Sequence, residues 1–253
     1  MDDRETWLAA TLVELADTSV IVDFDDSVYG LALVAHLTEL LDHAEIGLII
    51  LDPAGAPQVA AASSARARQV MSSELDADDG PCVACYRGGQ RQLNLDVATI
   101  AGRWPRFASA AGAVGFRTAT TLPMRRRGDV VGAVGILDAC GRSLAEPEIS
   151  MAQLLAEAAT VGLSQRRRLL ESNRAAAQLQ HALDSRVVIE QAKGMMAAWL
   201  GITPGAAFSL LRDYSRGHNR RLAEVADDVI RRALAAPELL ATVRTGRPTT
   251  STE

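Results

Sequence analysis

Apolar residues recur at helical spacing across 28–44 (VYGLALVAHLTELLDHA), through Leu33, Leu37, Leu40 and Leu41, and then close up into IGLIILD at 46–52, a run ended by Asp52 and Pro53. This pattern predicts a helix feeding a buried strand. Further strand-like runs follow: PQVAAAS after the turn-former Gly55, then QLNL, FRTATTLPM and VVGAVGILDA, the last two joined by RRRGD with a hairpin turn at Gly128. The order predicts an α+β domain built on four or five antiparallel strands. Between the second and third strands, 63–90 is rich in small and acidic residues and contains DADDGPCVACYRGG. An excursion of this kind over one sheet face is where a ligand pocket is expected to close.

From 146 to 200 the chain changes character. After Pro147, which suits a first helical turn, only Gly162 and Gly194 interrupt a run rich in Ala, Leu, Arg, Glu and Gln. One continuous helix, or two joined end to end, is expected. Leu154, Leu155, Ala158, Val161, Leu169, Ala176, Leu179 and Leu183 approximate a seven-residue seam, diluted by alanine and broken by Arg168 and Ser172. The seam predicts a coiled-coil-like helix and a homodimer. Beyond it, Gly201 ends the helix and Thr203-Pro204 starts another with Ala207, Phe208, Leu211 and Tyr214 on one face. Gly217 ends that one, and a third carries Leu222, Val225, Ala226, Val229 and Ile230. The tail from Arg244, rich in Thr, Gly, Pro and Ser, is expected to be disordered.

Charge divides the chain unevenly. Residues 1–165 hold 12 basic and 22 acidic side chains, net −10, whereas 166–253 hold 14 and 9, net +5, within an overall −5. A basic segment on an acidic partner is the footprint of nucleic-acid binding, although a solvated helix face has the same composition. Three cysteines (Cys82, Cys85 and Cys140) are too few to staple 253 residues and are expected to be reduced. The acidic start has no signal-peptide pattern and no apolar run reaches the roughly 18 residues of a membrane span, so a cytoplasmic protein with no membrane partner is expected. The chain lacks G-x-S-x-G, H-E-x-x-H and G-x-x-x-x-G-K-[ST], which argues against an enzyme.

The segment SRVVIEQAKGMM at 185–196 contains Lys193, the only lysine among 26 basic residues. At about 100° per residue Arg186, Glu190 and Lys193 share one face, opposite Val188, Ala192, Met195 and Trp199, which places the lysine toward solvent. An intrahelical ion-pair ladder accounts for that face without any partner. Arg212, Arg216, Arg220 and Arg221, however, bracket the junction of the next two helices. The pattern Ser185-Arg186, IEQAKG from Ile189, Ala206, Phe208, Leu211-Arg212, Ser215, Asn219, Leu222, Val225-Ala226 and Ile230 closely resembles the ANTAR domain of transcription antitermination regulators. The resemblance implies a three-helix module that binds two adjacent RNA hairpins and keeps a terminator from forming. It places Arg186, Lys193, Arg212, Ser215, Asn219 and Arg220 at or near the RNA. Charge and position add Arg216 and Arg221. Asn219 fits a cap of the third helix as well as a base reader, and Ala192 and Gly194 fit close helix packing.

The N-terminal half resembles a GAF domain through IGLIILD, DDGPCVACYRGG, QLNLD, the WPRF segment and VVGAVGILDA. That likeness implies an antiparallel sheet flanked by helices, with a pocket for a small molecule. Cyclic nucleotides, haem and tetrapyrroles occur in the family, and no one ligand's residue set is visible here, so the cofactor is unknown. Cys82 and Cys85 read either as buried structural thiols or as a redox pair, some GAF proteins reducing methionine sulfoxide with cysteines in this region. No metal site is expected, because Cys140, His36 and His43 lie at no ligand spacing. The expected order is a GAF-like domain at 1–165, a linker at 166–181, an ANTAR unit at 182–236 and a tail at 237–253. Together these describe a signal-responsive, RNA-binding antitermination regulator. The rivals are a redox sensor and a DNA-binding regulator, since three helices with a short turn imitate a helix-turn-helix.

Overall fold

The computed structural model describes residues 3–16, 26–126 and 128–231. The expected tail at 237–253 and residues 232–236 of the expected ANTAR unit lie outside them. The chain divides into two compact units, Met1–Leu169 and Leu170–Glu253.

The first unit is a five-stranded sheet covered on both faces. Helices α1 (Asp3–Ala16) and α2 (Asp26–Leu40) lead into β1 (Glu45–Leu51) and β2 (Pro57–Ala62). Helices α3 (Ala65–Ala77) and α4 (Pro81–Gly88) precede β3 (Gln92–Asp96), and α5 (Val97–Arg103) and α6 (Pro105–Ala113) precede the hairpin of β4 (Thr118–Arg126) and β5 (Asp129–Asp138). The strand order is β2-β1-β5-β4-β3, every neighbour antiparallel. The expected strands and the turn at Gly128, which sits at φ 100, are present. The 63–90 excursion is helical: Ser64 caps α3 and Pro81 occupies the first turn of α4, signals that a composition of small and acidic residues conceals.

Strand periodicity sorts the apolar residues between two cores. Ile46, Leu48, Ile50, Leu122, Met124, Val134 and Ile136 face one side and pack under α1, α2 and the start of a long helix. Ile49, Ala119, Ala133 and Leu137 face the other and pack against α3 to α6. Because both faces are covered, β1 and β5 read as continuous apolar runs without alternation. Gly47 and Gly135 stand opposite each other across β1 and β5, and a Cβ on either would meet the Met71 side chain at under 3.0 Å. The pair forms a bay in the sheet that seats α3. On the other face, the buried Tyr29 hydroxyl reaches the backbone carbonyls of Leu15 and Ala159, tying three helices together.

Helix α7 (Glu146–Leu200) is a single 55-residue helix. Its first third differs from the expected seam. Ile149, Ala152, Ala156, Ala159 and Leu163, spaced alternately three and four apart, bury against the sheet together with Leu155. The part of the seam containing Leu155 is therefore core, because that face already has an apolar surface to cover. Leu169, Leu179 and Leu183 are exposed. No single helix among the described residues is long and apolar enough to cross a membrane.

In the second unit the end of α7 packs with α8 (Pro204–Gly217) and α9 (Leu222–Ile230) around Ala192, Met196, Ala207, Leu211, Val225, Ala226 and Val229. Thr203 caps α8, its hydroxyl oxygen accepting the Ala206 N–H at 3.3 Å, and Gly201 takes a left-handed φ of 64 between α7 and α8.

Candidate functional site

The α8–α9 junction is built by one helix ending. The Arg220 N–H reaches back to the Ser215 carbonyl at 2.9 Å and the Asn219 N–H to the Arg216 carbonyl at 3.3 Å, the paired bonds of a Schellman motif. Asn219 sits at the left-handed position, φ 50, that the motif requires. The cap of α9 is Arg221, whose side chain makes no capping bond. Asn219 therefore closes α8 and does not cap the third helix, a correction with a steric reason: after Gly, Asn is the residue that best tolerates this backbone.

Ser215 is 8% exposed, and its hydroxyl donates to the Arg220 carbonyl. Its side chain holds the junction together and is turned away from solvent. Arg220 pairs with Asp228 at 2.7 Å, which fixes its guanidinium along α9. His218 stacks on Tyr214 with ring centroids 4.0 Å apart. Arg212 is exposed with Asp213 at 3.9 Å. Arg186, Arg216 and Arg221 are exposed and carry no ion pair among the described residues.

Lys193 departs from the expected solvent face. Its side chain is only 22% exposed and its ammonium is held by Glu190. The α7 stripe turned inward centres on Ala192 and Met196, with Val188 and Ile189 packed beside it, while Trp199 is exposed. The inward face is rotated from the expected one because α8 and α9 decide which side of the helix they cover. Ala192 is small for packing, as expected. Gly194 is not, since a Cβ there would meet nothing within 4 Å.

In the first unit, Cys82 and Cys85 are buried within α4, and Cys82 Sγ lies 3.9 Å from Met71 Sδ. Burial pushes the Cys82 thiol well up and the Cys85 thiol up to about 11, the reverse of what a nucleophilic cysteine needs. A carboxylate that no sequence pattern marks lies at the centre of this region. Glu74 is fully buried, and its Oε1 accepts the backbone N–H groups of Cys82 at 2.5 Å and Val83 at 3.0 Å at the start of α4. Its Oε2 makes no hydrogen bond among the described residues, and burial pushes the carboxyl up to about 8. An isolated glutamate at the end of a polar helix carries no sequence signal for this. Among the described residues no group of three or more His, Cys, Asp or Glu is placed to share a metal ion.

A cleft of this unit lies away from the 63–90 segment. A cavity of about 450 Å³ opens beside α5 and α6, lined by Val97, Ile100, Ala108, Ala111, Phe116 and Arg117 with Gly112 and Gly115 between them. The 63–90 excursion contributes no residue to this cavity. Instead α3 and α4 pack directly on the sheet, with Met71 seated in the glycine bay. The one sequence trace of the cleft is the cluster of small residues in ASAAGAVG after WPRF.

The first unit is a sheet roofed by helices on both faces and the second a compact three-helix unit. The chain belongs to the GAF family, whose GAF domain model matches residues 31–164, and it carries an ANTAR domain, matched over 177–230. ANTAR domains are RNA-binding antitermination modules and GAF domains are signal-sensing ones; neither is a catalytic type. No curated protein matches the chain. Among solved structures, the GAF domain from Acinetobacter phosphoenolpyruvate-protein phosphotransferase is similar at 12% identity, over 66% of this chain and 97% of that one, with a TM-score of 0.50. A GAF domain/HD domain protein from Geobacter sulfurreducens is similar at 18% identity, over 57% and 95%, with a TM-score of 0.44. At 12% identity the likeness to the Acinetobacter domain bears on the fold alone.

Proposed function

We propose that this protein is a homodimeric, signal-responsive antitermination regulator. Its ANTAR unit, over 182–236, binds two adjacent hairpins in nascent RNA so that a terminator does not form, and its GAF domain, over 1–165, sets when this happens. The observation that carries the reading is the ANTAR match over 177–230 coinciding with a unit whose surface holds Arg186, Arg216 and Arg221 exposed and without an ion pair among the described residues. Uncommitted guanidiniums suit phosphates and unpaired bases, which RNA loops expose and a deep duplex groove hides. Lys193 and Arg220, already paired, act from defined positions beside them, and Ser215 and Asn219 act by shaping the α8–α9 turn. Two linked units engaging two hairpins gain from effective concentration.

The test is binding of the full chain to a two-hairpin RNA, an unstructured RNA of equal length and a duplex DNA at low and high salt. Selective, salt-sensitive binding to the two-hairpin RNA is expected. Loss of both Arg216 and Arg221 to alanine should weaken it by about tenfold or more and flatten the salt slope. Equal weak binding to all three, unchanged in the double variant, sinks the reading, and preference for duplex DNA replaces it with a DNA-binding one.

A further inference from the structure

The α5–α6 cleft has a composition that selects among small molecules. Its floor is apolar and held firmly: Ile100, Ala111 and Phe116 are buried members of the second core. Its depth comes from small residues, since Ala108, Ala111, Gly112 and Gly115 line it where larger side chains would fill it. The volume of about 450 Å³ lies within the range of small-molecule sites. Among the described residues Arg117 is the only charged side chain in the lining. It is exposed, it has no ion pair among the described residues, and its own N–H bonds the Asp138 carbonyl at 2.8 Å, so the base of the side chain is anchored while the guanidinium is uncommitted. Arg66, whose guanidinium lies 4.9 Å from the Phe116 ring centroid, is by contrast neutralised by Glu45.

We propose that this cleft is the sensory pocket and that it takes a small organic monocarboxylate, the carboxylate at Arg117 and the hydrocarbon body on Ile100, Ala111 and Phe116. The inference rests on the signal-sensing reading of the GAF domain. One planar cation matches one carboxylate in a bidentate pair. A nucleotide or sugar is a poor fit, because the lining supplies no other polar side chain for its hydroxyls and ring nitrogens. A cationic ligand is repelled by Arg117 and finds no acid in the lining.

The experiment is isothermal titration of the full-length protein with hexanoate, benzoate and phenylacetate, against hexanamide, benzamide and inorganic phosphate. At least one carboxylate should bind, with its amide about tenfold weaker and phosphate weaker still. Arg117→Gln should erase the preference for acid over amide. Gly112→Leu should block both classes without lowering the unfolding temperature, because Gly112 lies in α6 and a side chain there enters open space. Amides binding as well as acids, an unaltered preference in the Arg117 variant, or no binding by any carboxylate at about 10 mM overturns the proposal. RNA affinity measured with and without the bound carboxylate separates the two readings. Carboxylate binding that leaves RNA affinity unchanged retires signal coupling and leaves the site standing, whereas intact RNA binding with an empty cleft retires the site alone.

Discussion

At the scale of single residues, Glu74 gives the first unit a pH dependence of defined sign. Burial dominates its environment, the charge of Asp79 adds to it, and the two N–H groups of α4 oppose it without prevailing. With a folded value of about 8 against an ordinary 4.5, the carboxyl binds a proton more tightly in the folded state. Its stabilising contribution is therefore complete below about pH 4.5 and is lost as the pH rises through about 8. Between those limits stability should fall by about 1.4 kcal/mol per pH unit. Glu74→Gln keeps an acceptor for Cys82 and Val83 and removes the titration, so its urea midpoint should change far less between pH 5 and pH 8. Equal slopes for the two proteins would show that the carboxyl ionises freely in the folded state. The same burial raises the thiols of Cys82 and Cys85 in α4.

At the scale of elements, the end of α8 shows how a polar residue can be required for backbone reasons. Asn219 at φ 50 lets the chain reverse, and Ser215 clasps the reversal by bonding the Arg220 carbonyl. Asn219→Gly should be tolerated within a few tenths of a kcal/mol, while Asn219→Val should cost about 1–2 kcal/mol. Thermal unfolding followed by circular dichroism distinguishes the two; equal effects would remove the left-handed backbone as the reason for Asn. Helix α7 makes the complementary point. Its first third buries a stripe against the sheet, and its end buries another against α8 and α9. Residues 171–184 between those stripes are exposed throughout. Helix propensity alone holds that stretch weakly.

At the scale of the whole molecule, the exposed leucines bear on assembly. Leu179 is 68% and Leu183 58% exposed within that stretch, spaced as neighbours on one helix face. In the proposed dimer they pair with a second copy. Leu179→Glu with Leu183→Glu should leave the unfolding of the two compact units unchanged, yield a monomer in sedimentation equilibrium, and weaken two-hairpin RNA binding by about a hundredfold through lost linkage. A variant that remains dimeric with full affinity would place the dimer contact on another surface. The charge division, net −10 over 1–165 and +5 over 166–253, has a consequence at this scale too. The acidic unit repels the polyanion that the basic unit attracts, which favours binding through the C-terminal unit alone.

The sequence by itself determined an antiparallel sheet of four or five strands, a helical run over 146–200 that could be one helix or two, and both family resemblances. Those rest on local periodicity, turn chemistry and polar positions at fixed spacing, which survive without tertiary information. Only the tertiary structure decided which side of a helix faces inward, since that depends on what arrives to cover it. The periodicity of α7 alone places Lys193 toward solvent, yet in the fold it is 22% exposed and paired with Glu190. The same holds for the cleft. Residues 63–90 have the composition of a loop over a pocket, but Gly47 and Gly135, 88 positions apart in sequence and opposite in the sheet, open a bay for Met71 that draws α3 down flush. A cavity lies beside α5 and α6, where small residues and Arg117 meet. Glu74 illustrates the general reason: a carboxyl's proton affinity is set by what surrounds it, and the sequence does not carry those surroundings.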